Sequence, residues 1–225
     1  MPQDLSAGSS KILAVKPSNG FLNQNSVLPY GVKPEHVLAA MDDFTMFLSI
    51  VNVSLTEQQL PRLESICMPA NFSSIVGEFV SSALTKHSAG IVRNKHHNGH
   101  PDLIPVDTYT NDDVLHGSAG IEVKASRYES GWQGHNAEKT FLMVIVYHSD
   151  RPKSETETQF RFRGIYAAQL EKSDWSEAPR KATSRRTATA SVLKTGYEKM
   201  VANWIYRDPT PVGEDSAELD LLGAE

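Results

Sequence analysis

Residues 141–147 read FLMVIVY, seven positions without a charge. A run that is apolar throughout, rich in β-branched and aromatic side chains and short enough for a strand, fits a strand buried on both faces. Such a strand dictates much of the rest. It needs neighbours along both edges and apolar layers above and below, so the chain has to build a central sheet covered by other elements. Turn residues mark further short strands at residues 90–92, 102–106, 120–126 and 160–167.

Helices supply the covering layer. Pro34 suits a first helical turn, and Val37, Leu38, Met41, Phe44, Phe47, Leu48 and Val51 follow at helical spacing. A second, short helix is expected over 56–68, capped by Thr56 and interrupted early by Pro61. A third, over 71–88, takes Asn71 as its cap, carries a stripe through Phe72, Ile75, Val76, Phe79, Val80 and Leu84, and ends at Gly90. The last runs over 191–204, with Val192, Leu193, Tyr197, Met200, Val201 and Trp204 inward. Helices, then strands, then a helix give an α/β expectation: a central mixed β-sheet flanked by helices, with a helical N-terminal part.

The expected boundaries are a flexible N-terminal arm over 1–30, one domain over 31–208 and an acidic C-terminal tail over 209–225. Within the domain lie a helical part (34–88), a sheet (89–167), and a basic loop with the C-terminal helix (176–206). Two hundred and twenty-five residues are enough for one sizeable core. Cys67 is the sole cysteine, so an internal disulfide is excluded and a reducing cytoplasm is the expected location. The first residues lack the apolar core of a secretory signal, and no apolar stretch reaches the roughly 20 residues of a membrane span. A net charge of −5 argues weakly against a protein that coats nucleic acid, yet bases gather over 180–199 while acids gather at the C-terminus.

The chemistry is concentrated in GIEVKAS, residues 120–126. On a strand, Ile121, Val123 and Ala125 face one side while Glu122, Lys124 and Ser126 face the other. An acid and a base on one face of a core strand make sense where that face borders a cleft. In PDLIPV, Asp102 opens a neighbouring strand. Two carboxylates are a suitable seat for Mg²⁺, which binds through one or two carboxylates, water and substrate phosphate. Metal-assisted phosphodiester hydrolysis uses such a set, with Asp102 and Glu122 on the metal and Lys124 orienting water and offsetting charge. The bland alternative is a solvated strand edge with a cross-strand ion pair.

Pro101-Asp102 followed by Glu122-Val123-Lys124 resembles the PD-(D/E)xK nuclease superfamily, which includes many type II restriction endonucleases. The resemblance rests on residues 78–126 and implies a restriction-endonuclease-like core. It also implies a catalytic set of Asp102, Glu122 and Lys124, with Glu78 of IVGEFV as the helix-borne acid. Ser126 stands where many members carry a polar residue on the active face. The function implied is a Mg²⁺-dependent DNA endonuclease (Mn²⁺ substituting), of the type II restriction kind, acting on double-stranded DNA. A homodimer would match a palindromic site, and a cognate DNA methyltransferase would be a companion. A repair, recombination or mobile-element nuclease with the same core, or a non-cleaving DNA-binding protein, are the alternatives.

For DNA contacts the bases offer Arg180, Lys181, Arg185, Arg186 and Lys194, with Lys199 beyond, as phosphate clamps; a solvated face is the plain alternative. Arg161 and Arg163 alternate with Phe160 and Phe162, one face basic and one core. In GWQGHN, Gln133 and Asn136 are of the type that reads adenine, whereas Trp132 reads more readily as a packing anchor than as a stacking platform. His96, His97 and His100 invite a zinc reading, but their spacing without cysteine fits a polar turn, or a loop touching phosphates, better.

Overall fold

The computed structural model describes residues 12–134, 136–152, 158–177 and 190–211. Helix α1 spans Pro34–Glu57, α2 is a single turn at Leu63–Ile66, and α3 spans Pro69–His87. Strands follow at Ile91–Arg93 (β1), Leu103–Pro105 (β2), Ile121–Ser126 (β3), Gln133–Gly134 (β4), Thr140–His148 (β5), Arg161–Leu170 (β6), Trp175–Glu177 (β7) and Ala190–Val192 (β8). Helix α4, Lys194–Ala202, and strand β9, Trp204–Arg207, complete the described chain. Six strands form one mixed sheet in the order β1-β2-β3-β5-β6-β9, and β4-β8-β7 form a second, small one.

FLMVIVY lies inside β5, in the middle of the large sheet, parallel to β3 and antiparallel to β6. Its side chains divide by alternation. Met143, Ile145 and Tyr147 join Val123, Phe160, Phe162 and the inner faces of α1 and α3 in the larger core. Leu142, Val144 and Val146 face the other way, onto Trp132, Trp175, Ala190 and Met200 of the small sheet and α4. The chain is therefore a mixed α/β fold: N-terminal helices, then a six-stranded mixed sheet covered by helices.

Phe44 is the hub of the larger core. Its ring is fully buried and lies 5.5 Å from Phe79, 5.2 Å from Phe160 and 5.7 Å from Phe162, centroid to centroid. Edge and tilted geometries of this kind add to the gain from burial. Beside the core, a buried polar cluster holds the α1–α3 connection to the end of β5. Arg62 pairs with Asp150 at 2.5 Å, Asn52 donates to Glu64 at 2.9 Å, and Arg62 also donates to the Thr158 carbonyl at 3.0 Å.

Several element bounds differ from the sequence expectation. Helix α1 runs through Thr56 to Glu57 and stops where Gln59 takes a left-handed φ of 58°, so Thr56 caps nothing and the expected second helix shrinks to α2. Helix α3 begins at Pro69, which puts Asn71 inside the first turn, and its end is taken by the Ser88 amide on Leu84 O rather than by Gly90. The last helix is shorter on both sides. Residues 190–192 are strand β8, and Trp204 belongs to β9, whose backbone fills the free edge of β6. Helix α1 is long and apolar enough, by length and hydropathy, to cross a bilayer; counting unbroken apolar runs missed it because Asp42 and Asp43 interrupt the sequence. Its inward residues Val37, Ala40, Met41, Phe44 and Leu48 are wholly buried in the core.

Residues 12–30, expected as part of a flexible arm, are laid along the sheet by specific bonds. The Val15 amide donates to Phe160 O, the Asn23 amide to Ile205 O, and Leu22 bridges Tyr206. Asn203 clasps Val27, accepting from its amide at 2.7 Å and donating to its carbonyl at 2.9 Å. Ser18 N–H reaches the Tyr206 hydroxyl at 3.4 Å, and the Tyr30 hydroxyl accepts from the Gly120 amide at 2.9 Å. Ser, Asn and Gly stretches look loose in sequence because such bonds to distant backbone leave no periodicity.

Truncating the hub, Phe44→Ala, is expected to destabilise the fold by about 3–5 kcal/mol, read as a lower denaturation midpoint with an unchanged slope.

Candidate active site

Strands β2 and β3 share a single paired position, Leu103 opposite Ile121, and then part. Beyond it β3 has no backbone partner from β2. The Val123 amide donates instead to the Asp102 carboxylate, at 2.8 Å. Gly120 allows this fork to close at its base: a Cβ there would sit 2.3 Å from Leu103 O, and its φ is +150°. The fork opens into a cleft of about 1350 Å³. One wall is the side of α3 that carries Ser73, Gly77, Glu78 and the buried Ser81. The other is the segment Arg93–His100, and Asp102 and Lys124 line the cleft between them.

Asp102, Glu122 and Lys124 are brought together. Glu122 and Lys124 point from one face of β3, and the Lys124 ammonium lies 2.5 Å from the Glu122 carboxylate. That carboxylate is only 6% exposed, and its other oxygen lies 3.3 Å from His100 Nδ1. Burial raises Glu122, but the charge and hydrogen bond of Lys124, followed by those of His100, outweigh it and hold this acid below its usual value. Burial depresses Lys124, yet Glu122 and Asp102 together push it above its ordinary value. Asp102 goes the other way. Burial, then the neighbouring negative charge of Glu122, raise it to about 6 against the partial offset of Lys124 and the Val123 amide.

Glu78 stands on the cleft wall of α3, and its charge reaches Asp102 and Lys124. Its carboxylate is largely exposed and paired with the Arg93 guanidinium. Asn136 lines the cleft. Ser126 does not line it. Its hydroxyl closes the turn after β3, donating to Tyr128 O and accepting from Tyr128 N–H. Gln133 is exposed on β4, opposite Ser191. Lys194 is exposed at the start of α4, 3.8 Å from Glu198. Arg180, Lys181, Arg185 and Arg186 lie outside the described residues. Lys199, grouped with the clamps by sequence, sits 2.5 Å from the buried Asp174 and anchors α4. Trp132 is buried, stacked near Tyr166 and Tyr197, with its indole N–H on Tyr128 O.

Sequence reasoning passed over Arg93, Lys95 and Asn94. Asn94 organises the second wall: its amide donates to Pro101 O and Val114 O, and its oxygen accepts from the His96 and Val114 amides. The segment NKHHNGH did signal a polar turn entering β2, but four bonds from one side chain have no periodic signature. The histidines do not form a zinc set. His96 lies 2.5 Å from Asp113 and His100 faces Glu122, and among the described residues no three His, Cys, Asp or Glu are placed to hold a metal between them.

What the donors do fit is a hard, hydrated cation. Two carboxylates, Glu122 buried and Asp102 partly so, stand within reach of each other's charge, and only one of them has an ammonium bonded to it. Mg²⁺ needs no more protein than that, since water and substrate complete its shell. Comparisons with protein-family models, curated proteins and solved structures give no match to this chain.

The raised Asp102 carries a stability signature. The folded chain holds this proton more tightly than the unfolded one, whose value is near 3.8, so the penalty is complete above about pH 6 and fades as pH falls towards 3.8. Asp102→Asn keeps the acceptor for Val123 and removes the charge. The variant is expected to gain about 1–3 kcal/mol over wild type near pH 8, the gain vanishing near pH 4, in paired denaturation curves.

Proposed function

We propose that the protein is a Mg²⁺-dependent endonuclease of double-stranded DNA, with a restriction-endonuclease-like core of the PD-(D/E)xK kind and a type II restriction role. The observation that carries this is the convergence of Asp102, buried Glu122 and Lys124 at a strand fork that opens into a cleft of about 1350 Å³, lined by Asp102 and Lys124. A solvated strand edge fits poorly, because Glu122 is almost fully buried and Lys124 is drawn in beside it.

Asp102 and Glu122 would hold the cation, Mg²⁺ or Mn²⁺ in its place, which when bound supplies Lewis-acid polarisation of the phosphoryl oxygens and a more acidic water. Lys124, charged at neutral pH, orients the attacking water and offsets negative charge growing on the phosphate. The Val123 amide holds the Asp102 carboxylate in place, and His100 does the same for Glu122. Preorganised donors of this kind need no rearrangement during the reaction. Glu78 adds negative charge at the cleft wall and tunes its neighbours' affinity for cations. Cutting both strands of a duplex takes two such sites, and a homodimer supplies them by symmetry.

Purified protein incubated with plasmid should cut in Mg²⁺ and stop on addition of EDTA, with discrete fragments for a site-specific enzyme. Lys124→Ala is expected to slow cleavage by about 10²–10³-fold while the variant still binds DNA; undiminished cutting removes Lys124 from the mechanism. Cation affinity should also follow pH. Binding requires the Asp102 carboxylate, so affinity falls about tenfold for each unit below about pH 6 and levels off above it, measured by calorimetric titration with Mn²⁺.

A further inference from the structure

The cleft has a second property that the chemistry at its centre does not use. Its outer wall is a short basic rail, and that rail is fixed. Arg93 ends β1, and its guanidinium grips Glu78 by both the side chain and the carbonyl. Lys95 follows with an ammonium 3.0 Å from Asp112 and a side chain 64% exposed. The backbone between and after them is braced by Asn94, by the Lys95 amide on Asp112 O at 2.8 Å, and by the His100 amide on Leu115 O at 2.9 Å. Gly99 is part of that bracing, since a Cβ there would meet Val114 O at 2.5 Å.

Opposite the rail, α3 presents Ser73, Ser74, Gly77 and Ser81, side chains that are small and, apart from the glycine, end in hydroxyls. Charge is thus uneven around the cleft: Arg93 and Lys95 on one side, small side chains on the other with Glu78 among them, already paired to Arg93, and the Asp102–Lys124 set between. One nucleic-acid strand has the matching form, with a phosphate at every residue of the backbone and a sugar edge able to pass close to small side chains. The rail's existing ion pairs are exposed and therefore weak, so a phosphate can replace Asp112 or Glu78 as a partner at little cost.

On the strength of the nuclease reading, we infer that Arg93 and Lys95 hold the phosphates flanking the one that is cut, and that the scissile strand runs along the segment Arg93–Gly99, the Arg93–Glu78 bridge to α3 opening to admit it. This assigns the backbone contact nearest the chemistry to residues distant in sequence from the basic stretch at 180–199. Lys95 and Arg93 act by charge, and each contact releases counterions from the DNA.

The test is the salt dependence of binding to a labelled DNA duplex by fluorescence anisotropy, with Ca²⁺ in place of Mg²⁺ and the full chain. Lys139 is the control, being an equally exposed lysine paired with Glu171 and absent from the cleft lining. Lys95→Gln and Arg93→Gln are each expected to lower the slope of log affinity against log salt by about one, with Lys139→Gln at the wild-type slope. Equal slopes for Lys95→Gln and Lys139→Gln overturn the rail; if the wild-type preparation still cuts plasmid, the nuclease reading stands without it. A wild-type protein that neither binds the duplex nor cuts plasmid overturns both.

Discussion

One hydrogen bond governs the working end of this molecule: the Val123 amide donating to the Asp102 carboxylate. Where β2 and β3 separate, β3 would otherwise turn a bare amide towards the opening, and a buried donor without an acceptor is unfavourable by about 1–3 kcal/mol. Asp102 answers that need with a side chain instead of a backbone carbonyl. The substitution lets the strands diverge, which makes the cleft, and it fixes an acid at the cleft's base. Sheet geometry and site geometry are therefore the same fact. Gly120 and the Tyr30 hydroxyl secure the base of the fork, so the site is held from the strand, the turn and the N-terminal stretch together.

The charges around that bond are arranged in tension. Glu122 has an ammonium at 2.5 Å and an imidazole at 3.3 Å, whereas Asp102 has an amide and a like-charged neighbour. The two acids consequently part company, one held ionised and the other pushed up to about 6. An uncharged side-chain acceptor would meet the Val123 amide without the repulsion from Glu122. Locally unfavourable charge at a preorganised site is the usual form of the trade between stability and function.

Much of this was legible from residue patterns, and the omissions share a cause. The central strand was plain from FLMVIVY, because burial on both faces leaves no other composition. The convergence of Glu122 and Lys124 followed from strand alternation alone, and that of Asp102 from its place at the start of the neighbouring strand. Features fixed by single long-range bonds were hidden. Thr56 and Asn71 have capping side chains, yet the helices slid past them, since packing of Phe44, Phe72 and Val76 outweighs a cap. Trp204 continued a helical stripe, but an open sheet edge beside β6 claimed its backbone. Arg93 and Lys95 were passed over because their placement depends on Asn94, whose four bonds go to residues as far away as Val114. The restriction-endonuclease-like resemblance is carried by few letters, and the six-stranded sheet supports it only at the level of mixed α/β architecture.

The clasp between residues 12–30 and strand β9 has a consequence for biogenesis. Ser18 meets Tyr206 across 188 residues of chain, and Asn203 grips Val27 from both sides. During synthesis Ser18, Asn23 and Val27 lack these partners until the late strand leaves the ribosome, whatever the helices have already done. Closure of so long a loop is slow and comes late. The same early segment carries Tyr30, whose hydroxyl seats Gly120 at the fork. The stretch that Tyr30 belongs to is therefore fully tied down only once β9 has been made.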